Sequence, residues 1–191
     1  MWLFHARWRG RRKWFAEAAL PHLPALYRVA RQMTDAVTAD DLVQETCLRA
    51  WKYFDSQRSG ANCRAWMFQI LRNVWADTWR RTRLELPLPI EEEQGLEPYY
   101  EWEPELLRNE ISEGTQAALR ALPAEYRWAV LLADVEELTY REIADVLRCP
   151  IGTVMSRISR GRRMLSRLLR VGKTNPSPAH ATTRSPNGES R

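Results

Sequence analysis

The chain has 191 residues, which is long enough for one medium-sized domain or two small ones. Apolar residues make up 45% of it and charged residues 28%, so it can build a core but is not a largely apolar protein. Its formal net charge of +5 is compatible with a polyanionic partner, although so small an excess does not by itself indicate one.

No stretch of the sequence predicts a membrane span or an export signal. The apolar runs are short and interrupted by charge, whereas a membrane-spanning helix needs about 20 apolar residues. The first residues, MWLFHARWRGRRKWF, combine basic residues and tryptophans without the apolar segment and cleavage site of a signal peptide. We therefore expect a cytoplasmic protein without membrane insertion.

The three cysteines do not follow the pattern of a metal site. Cys47, Cys63 and Cys149 are widely spaced, without a CxxC motif or a neighbouring histidine. We interpret them as reduced thiols in buried or half-buried positions, and a redox role stays open. Neither a metal nor another cofactor is expected.

Charge is distributed unevenly along the chain. Residues 1–83 contain 15 lysines and arginines against 7 acidic residues, whereas residues 84–113 contain 1 against 10. Between Leu84 and Pro104, prolines and clustered glutamates break helices and repel one another, which predicts a flexible acidic linker. The predicted divisions are a basic N-terminal extension at 1–13, domains at 14–83 and 105–170, the linker at 84–104 and a disordered tail at 171–191. For the extension, an added basic arm, a misassigned start codon and disorder all stay open.

Both predicted domains are helical, because apolar positions recur at intervals of three and four and no alternating apolar and polar run occurs. The fold class is therefore all-α, with two small helical domains. Prolines break the first helix near its start, and the run Thr-Ala-Asp-Asp supplies a cap for the second. The helices predicted in the first domain run from Phe15 to Met33 with a break at Pro21 and Pro24, from Thr38 to about Phe54, and from about Arg64 to Arg83, opened by Ser59 or Asn62.

The second predicted helix has one apolar and one polar face. Asp41, Gln44 and Glu45 share a patch, because positions i, i+3 and i+4 are neighbours on a helix surface. From spacing alone, a solvated surface is the more ordinary interpretation, and a partner surface stays open. The opposite face is predicted to bury Val43, Cys47, Ala50 and Phe54, which recur at steps of four, three and four.

The third predicted helix mixes aromatic and basic side chains. Aromatic rings can stack on unpaired bases for about 1 to 3 kcal/mol each, and arginines neutralise phosphates, so the mixture suits single-stranded DNA. Tryptophans at helical spacing are also ordinary core residues, and Trp66 and Met67 are expected mainly in the core. The aromatic residues are Trp66, Phe68, Trp75 and Trp79, and the basic ones are Arg64, Arg72, Arg80, Arg81 and Arg83.

Two strings in this first domain resemble the second conserved region of extracytoplasmic-function (ECF) sigma factors of bacterial RNA polymerase. They are TADDLVQETCLRAWKYFDS and ANCRAWMFQILRNVWADTWRR. The resemblance implies that the helix with Asp41, Gln44 and Glu45 docks on the clamp helices of the largest polymerase subunit. It also implies that the loop Ser59–Arg64 captures a flipped base of the minus-ten promoter element. The implied contacts with minus-ten DNA are Asn62, Arg64, Arg72, Asn73, Arg80 and Arg81.

The second domain contains two helices separated by a proline. Thr139 predicts the cap of a short helix, and Pro150 ends it because proline disfavours helical geometry in the residue before it. A longer helix starts near Ile151. This order is typical of a helix-turn-helix, although a packed pair with a solvated basic face stays the alternative. The apolar positions of the short helix are Tyr140, Ile143, Ala144 and Leu147.

The longer helix is predicted to have a buried stripe and a basic face. Val154, Ile158, Gly161, Leu165 and Leu168 recur at steps of four and three, which predicts that they are buried. The opposite face is basic and rich in hydroxyl groups, which suits a DNA major groove. The residues predicted to point outward are Met155, Ser156, Arg157, Ser159, Arg160, Arg162 and Arg163.

The segment ALPAEYRWAVLLADVEELTYREIADVLRCPIGTVMSRISRGRRMLSRLL resembles the fourth conserved region of the same family, which reads the minus-thirty-five element. Met155 cannot form the bidentate pair with guanine that an arginine would form, so we expect it to contact a thymine methyl group. Arg160 is expected to read a base, and Arg163 to contact the backbone or solvent. The implied contacts are Tyr140, Arg141 and Glu142 on the short helix and Met155, Ser156, Arg157, Arg160 and Arg163 on the long one.

Two such regions joined by a short acidic linker fit the small, two-domain type of sigma factor. The resemblance implies that the linker follows the path of exiting RNA. The implied partners are core RNA polymerase, through its clamp helices and flap, promoter DNA and an anti-sigma factor.

Two alternatives belong to other functional classes. A stand-alone helix-turn-helix regulator would explain only the second domain, and it would protect operator DNA without polymerase. An enzyme is not expected, because His5, His22 and His180 are isolated and no phosphate loop or nucleophile-base pair appears.

Overall fold

A computed structural model of the chain describes residues 2–57, 62–83 and 112–174. Helices account for nearly all of these residues and no strand occurs among them, so the predicted all-α class is confirmed. The predicted linker, and the part of the predicted tail after Thr174, lie outside the described residues.

The described residues of the first domain form four α-helices and two short 3-10 turns. Pro21 and Pro24 each stand at the second position of a helical element, where the missing N–H has no intrahelical partner to lose. The predicted break near these prolines is therefore confirmed. The elements are α1 (Trp2–Ala19), a 3-10 turn (Leu20–His22), α2 (Leu23–Met33), α3 (Ala36–Tyr53), a second 3-10 turn (Phe54–Gln57) and α4 (Cys63–Arg83).

The cap of α3 is Asp35 rather than the predicted Thr38. The Asp35 carboxylate accepts hydrogen bonds from the backbone N–H of Thr38 at 3.0 Å and from its hydroxyl at 2.8 Å. These hydrogen bonds, led by the one from the backbone, lower the pKa of Asp35. The prediction was wrong because an aspartate three residues earlier serves equally well as an N-cap. For α4 the predicted opening residue Asn62 is correct, since its Oδ1 accepts from the Arg64 N–H at 3.0 Å.

The predicted buried stripe of α3 is correct at two of its four positions. Ala50 and Phe54 are buried as expected, but Val43 and Cys47 are only half-buried. Helix α3 packs against both α2 and α4, so its core-facing surface is wider than one stripe. The buried positions within α3 are Ala39, Leu42, Thr46 and Ala50.

Helix α1 includes most of the predicted N-terminal extension. Arg11 lies 4.4 Å above the ring of Trp51, donates to its carbonyl oxygen at 2.6 Å and pairs with Asp55 at 3.2 Å. Phe15 packs edge-on against Trp51, with ring centroids 5.2 Å apart. Disorder is therefore the wrong expectation for the end of the extension that reaches Arg11.

From residue 112 to 174, the second domain contains four α-helices and one π-helical turn. The predicted cap of its third helix is confirmed, since Thr139 and Glu142 form a capping box. The predicted break is also confirmed, with Arg148 in the left-handed region at φ 52° just before Cys149 and Pro150. The elements are α5 (Glu113–Ala121), α6 (Ala124–Val130), the π turn (Leu131–Val135), α7 (Tyr140–Leu147) and α8 (Ile151–Thr174).

The two domains pack against each other. Helix α4 of the first domain lies against α7 of the second, and α2 lies against α5 and α6. Trp75 of α4 meets Trp128 of α6 edge-on, with ring centroids 5.8 Å apart. Arg127 donates to the carbonyl oxygen of Gln32 at 3.2 Å. The proposed binding surfaces are therefore arranged on one body.

Candidate nucleic-acid and protein interfaces

Helix α8 is positioned by close packing on α6. Val154, Ile158 and Leu165 are buried as predicted, and a Cβ on Gly161 would lie 2.6 Å from Cγ2 of Val130. Leu168 is exposed, contrary to the prediction. A stripe that repeats every 3.5 residues drifts around a helix of 3.6 residues per turn, so its last member leaves the contact. This packing determines which face of α8 points away from the domain.

The outward face of α8 carries polar, basic and apolar side chains together. Met155 is 54% exposed, and Ser156, Ser159 and Arg160 are exposed with it. The hydroxyl of Ser156 donates to the carbonyl oxygen of Thr153 in the same helix at 2.9 Å. We call Met155, Ser156, Ser159 and Arg160 the recognition face.

Two arginines predicted to point outward are tied to their own domain instead. Arg162 donates to the carboxylate of Asp134 at 3.1 and 2.5 Å, and Asp134 is buried. Arg157 is half-buried and donates to Glu125 at 2.8 Å. The outward orientation is therefore wrong for Arg162 and only partly correct for Arg157. Arg163 is also half-buried.

Helix α7 presents the other residues predicted to contact the minus-thirty-five element. Tyr140 and Arg141 are exposed. Glu142 closes the capping box by accepting from the Thr139 N–H at 2.8 Å. Partial burial opposes ionisation of Glu142, but hydrogen bonds from Thr139 and Asn62 outweigh it and lower the pKa of this carboxyl. Glu142 is thus charged at neutral pH and already occupied by two partners.

Helix α3 carries a second exposed array on its solvent side. Asp41 and Gln44 are exposed as predicted. They lie between two exposed apolar residues, and the four positions are separated by steps of four, three and four. Val37 is 74% exposed and Leu48 is 65% exposed. We call Val37, Asp41, Gln44 and Leu48 the α3 outer face. The sequence reasoning missed Val37 and Leu48, although continuing the spacing of Asp41 and Gln44 in both directions reaches them.

Glu45, predicted with Asp41 and Gln44, lies in a different environment. It is half-buried and accepts from Arg49 at 2.7 Å. Arg49 also donates to Asp77 of α4 at 2.9 Å, and this hydrogen bond is the main cause of the lowered pKa of Asp77. Glu45 therefore belongs to an ion network that joins α3 to α4.

The predicted minus-ten residues along α4 lie in two environments. Arg80 and Arg81 are exposed near the end of the helix. Arg72 and Asn73 are half-buried. Burial, followed by the charge of nearby arginines, lowers the pKa of Arg72. The end of α4 is accordingly its more accessible part.

The first residues of α4 contact the second domain. The Asn62 amide donates to Glu142 at 2.5 Å, and Arg64 donates to Glu136 at 2.6 Å. Arg28 of α2 donates to the same Glu136 carboxylate at 2.8 Å. We call Arg28, Asn62, Arg64, Glu136 and Glu142 the interdomain seam.

Most of the aromatic residues on α4 belong to the core. Phe68 is buried and Trp66 is half-buried. Trp75 stacks on Trp79 with ring centroids 5.9 Å apart and also meets Trp128. Trp79 is the most exposed of them and the one best placed to meet a base.

The three cysteines are half-buried free thiols. Burial raises the pKa of Cys47 and Cys63, which disfavours the reactive thiolate. Within residues 2–57, 62–83 and 112–174, no cluster of metal-ligating side chains occurs. In the same part of the chain, every helix is too short or too polar to cross a membrane.

The chain matches two models of one protein family. The sigma-70 region 2 model matches residues 19–85, and the sigma-70 region 4 model matches residues 112–165. The ECF RNA polymerase sigma factor EcfG of Rhodopseudomonas palustris is 36% identical over 154 residues, which are 80% of this chain and 83% of EcfG. SigW of Bacillus subtilis, another ECF sigma factor, is 30% identical over 166 residues, covering 82% of this chain and 89% of SigW.

Two solved structures are similar in fold and sequence. One is the sigma factor RpoE in complex with the anti-sigma factor NepR from Bartonella quintana, with a TM-score of 0.68 and 32% identity over 83% of this chain and 98% of RpoE. The other is CnrH in complex with the cytosolic domain of CnrY, with a TM-score of 0.55 and 26% identity over 85% of this chain and 89% of CnrH.

An all-α body with a helix-turn-helix and a second helical domain defines a DNA-binding transcription protein. The chain belongs to the ECF family of RNA polymerase sigma factors, and it directs promoter-specific initiation of transcription. The stand-alone regulator is not favoured, because the first domain also matches a sigma region.

Proposed function

We propose that this sigma factor binds core RNA polymerase through the α3 outer face and reads the minus-thirty-five element with the recognition face of α8. The observation that carries the proposal is that these two arrays lie exposed on separate helices of separate domains. Each has a composition suited to a different partner.

The α3 outer face has the composition of a protein interface. Leu48 and Val37 are large exposed apolar residues. Covering them with a partner stabilises the complex by about 25 cal/mol for each Å² of apolar surface that is removed from water. Asp41 and Gln44 lie between them and supply hydrogen-bonding groups that give such a contact direction. The family resemblance supports the clamp helices of the largest subunit as the partner.

The recognition face suits the edges of base pairs in a major groove. Arg160 is exposed and has no ion-pair partner in the described part of the chain, so its guanidinium can donate two hydrogen bonds to guanine. Met155 offers an apolar group to a thymine methyl, and Ser156 offers a hydroxyl. Tyr140 and Arg141 on α7 are exposed and would contact the DNA backbone.

The exposed end of α4 is the proposed contact with minus-ten DNA. Arg80 and Arg81 can neutralise phosphates while Trp79 stacks on an unpaired base. Asn62, Arg64, Arg72 and Asn73 would join them. We further propose an anti-sigma factor as a regulatory partner, because the similar RpoE structure is a complex with the anti-sigma factor NepR. A cytoplasmic location and contact with the polymerase flap are proposed from the family resemblance.

Assembly with core polymerase tests the α3 outer face. The double variant Asp41→Ala with Gln44→Ala should weaken binding to core about tenfold, since removing central interface contacts typically costs more than 1 kcal/mol. Asp145→Ala removes an exposed carboxylate on α7, in the other domain from α3, and it is the control. Fluorescence titration of labelled protein with core measures both. Equal affinity of the double variant and wild type would contradict the proposal.

A footprint on promoter DNA separates the sigma factor from the regulator. We expect protection of both promoter elements only when core polymerase is present. Protection by the chain alone, at the same concentration and salt, would favour direct operator binding instead.

A further inference from the structure

A buried carboxylate of the second domain is neutralised by two arginines of the first. Glu136 is 0% exposed. Arg28 donates to both of its oxygens, at 2.8 and 3.2 Å, and Arg64 donates to Oε2 at 2.6 Å. A buried carboxylate without a nearby cation is strongly disfavoured, and both cations that contact Glu136 come from the other domain.

The local backbone directs Glu136 toward the first domain. The π turn Leu131–Val135 ends at this residue, whose N–H donates to the Leu131 carbonyl oxygen at 3.0 Å. Glu137 follows with φ 50°, a left-handed conformation that turns the chain sharply. Leu138 then donates back to the Leu132 carbonyl oxygen at 2.9 Å. The side chain of Glu136 is therefore presented by a rigid corner.

The same seam occupies residues that the proposed function assigns to DNA. Arg64 cannot give a phosphate the hydrogen bond that it gives Glu136, and the Asn62 amide is likewise used by Glu142. Arg28 differs, because it lies in the seam but is not among the proposed DNA contacts. Closed domains thus hide part of the minus-ten surface.

Promoter geometry also excludes the closed arrangement. The minus-ten and minus-thirty-five elements are about 25 base pairs apart, which is on the order of 80 Å at about 3.4 Å per base pair. Domains joined by hydrogen bonds of 2.6 and 2.8 Å cannot reach both elements together. The 28 residues between Arg83 and Ser112 can span at most about 100 Å, so the chain is long enough to open.

We propose that Glu136 is an autoinhibitory latch, which holds the free sigma factor closed by competing with DNA for Arg64 and using Arg28 as a second anchor. Opening hydrates Glu136 and frees Arg64 in the same step. This inference rests on the proposed function, because it assumes that Arg64 serves minus-ten DNA.

A latch of this kind can both hold and release. A buried ion pair gains Coulombic energy but loses hydration, so its net contribution to stability is small although its geometry is specific. Polymerase needs only to bind the open form better than the closed form to shift the population. The seam therefore specifies a closed state without making it permanent.

Arg28→Ala is the sharpest test, because it removes one anchor without touching a proposed DNA contact. The side chain of Arg28 is 46% exposed, so its loss should leave the fold intact. The matched control is Arg31→Ala on the same helix, since Arg31 makes no hydrogen bond or ion pair in the described part of the chain. The probes are small-angle X-ray scattering of the free protein and its affinity for a single-stranded minus-ten oligonucleotide.

We expect Arg28→Ala to increase the maximum dimension of the free protein and to raise its affinity for the oligonucleotide about tenfold, within the range typical of coupled equilibria. Arg31→Ala should match wild type in both measurements. Dimensions and affinity of Arg28→Ala equal to those of wild type would overturn the latch. The scattering result does not depend on DNA, so it separates failure of the latch from failure of the proposed function.

Glu136→Gln provides a second variant at the hub of the seam. It should open the protein at least as far as Arg28→Ala, and adding Arg28→Ala to it should have little further effect, because both act through one contact. Circular dichroism confirms that the variant is folded. Independent, additive increases in dimension would contradict a single latch.

Discussion

The recognition face of α8 and the first turn of α4 carry the same kind of side chain for the same proposed partner, but they differ in what surrounds them. Arg160 on α8 projects into solvent, whereas Arg64 on α4 is bound to a buried carboxylate of the other domain. The difference arises from acidic residues on distant elements and not from the helices themselves. An arginine on a basic helix is therefore held away from DNA where the fold places a buried carboxylate against it.

The same contrast occurs within α8. Arg160 and Arg162 are two residues apart, yet Arg160 points outward and Arg162 pairs with buried Asp134. Arg160 is therefore available to a partner, whereas Arg162 neutralises a buried charge within its own domain. Substitutions of the two arginines should therefore affect different properties of the protein.

The largest effect is expected for Arg162→Ala. Removing this partner leaves the Asp134 carboxylate inadequately neutralised in the protein interior, which should reduce the free energy of unfolding by about 3 kcal/mol. Urea denaturation followed by circular dichroism measures the loss. Arg160→Ala is the control and should change stability by about 0.5 kcal/mol or less. If both variants are equally stable, the structural role of Arg162 is wrong.

A somewhat smaller effect, on specificity, is expected for Arg160→Ala. A bidentate arginine discriminates against a wrong base by about 1 to 3 kcal/mol, whereas a phosphate contact weakens all sequences alike. Holoenzyme activity should drop on the cognate promoter, and preference at one base pair of the minus-thirty-five element should flatten. Transcription from single-base variants measures this. Arg163→Ala is the comparison, and it should lower activity on all variants together.

Leu48→Ala should weaken core binding about fivefold without affecting the fold. Leu48 is exposed in the free chain, so its truncation removes apolar contact only when polymerase covers the α3 outer face. Titration of labelled protein with core polymerase measures the change. Leu20→Ala, which truncates another exposed leucine outside α3, should bind like wild type. An equal loss in both variants would mean that the outer face has no special role.

The smallest effect is expected for the pH dependence of stability through Glu142. Its pKa is lowered in the folded state, so its contribution to stability is full above the unfolded value of about 4.5 and is lost as pH falls through the folded value. Glu142→Gln should remove this part of the acid sensitivity. Urea midpoints of both proteins at pH 7 and pH 3 test it. Parallel losses in the two proteins would show that Glu142 does not contribute.

Much of the fold could be predicted from local patterns. The breaks at Pro21 and Pro150 follow from the missing N–H and fixed φ of proline, and the cap at Thr139 follows from its hydroxyl and the glutamate three residues later. Helical spacing also predicted the burial of Val154 and Ile158 correctly. Such signals act within one or two turns of the chain.

The errors arose where a helix has neighbours on more than one side. Helix α3 packs on both α2 and α4, so its stripe moved to Leu42 and Thr46. Leu168 is exposed because a repeat of 3.5 residues drifts around a helix of 3.6 residues per turn, so the end of the repeat no longer faces the packing partner. Val37 and Leu48 were overlooked because exposed apolar side chains are ordinary when considered singly.

Local sequence patterns were enough to predict that the chain is all-α, that it contains a helix-turn-helix and that it resembles ECF sigma factors, because helix periodicity, caps and family motifs are local properties. Which charged side chains are available to a partner depends on the tertiary structure. Arg64 and Glu136 are 72 residues apart, so no rule about neighbours on one helix could connect them. Their 2.6 Å contact forms only when the domains pack. Coulombic interactions and burial depend on distance in space, so the sequence alone could not separate an arginine that binds DNA from one that is held by the fold.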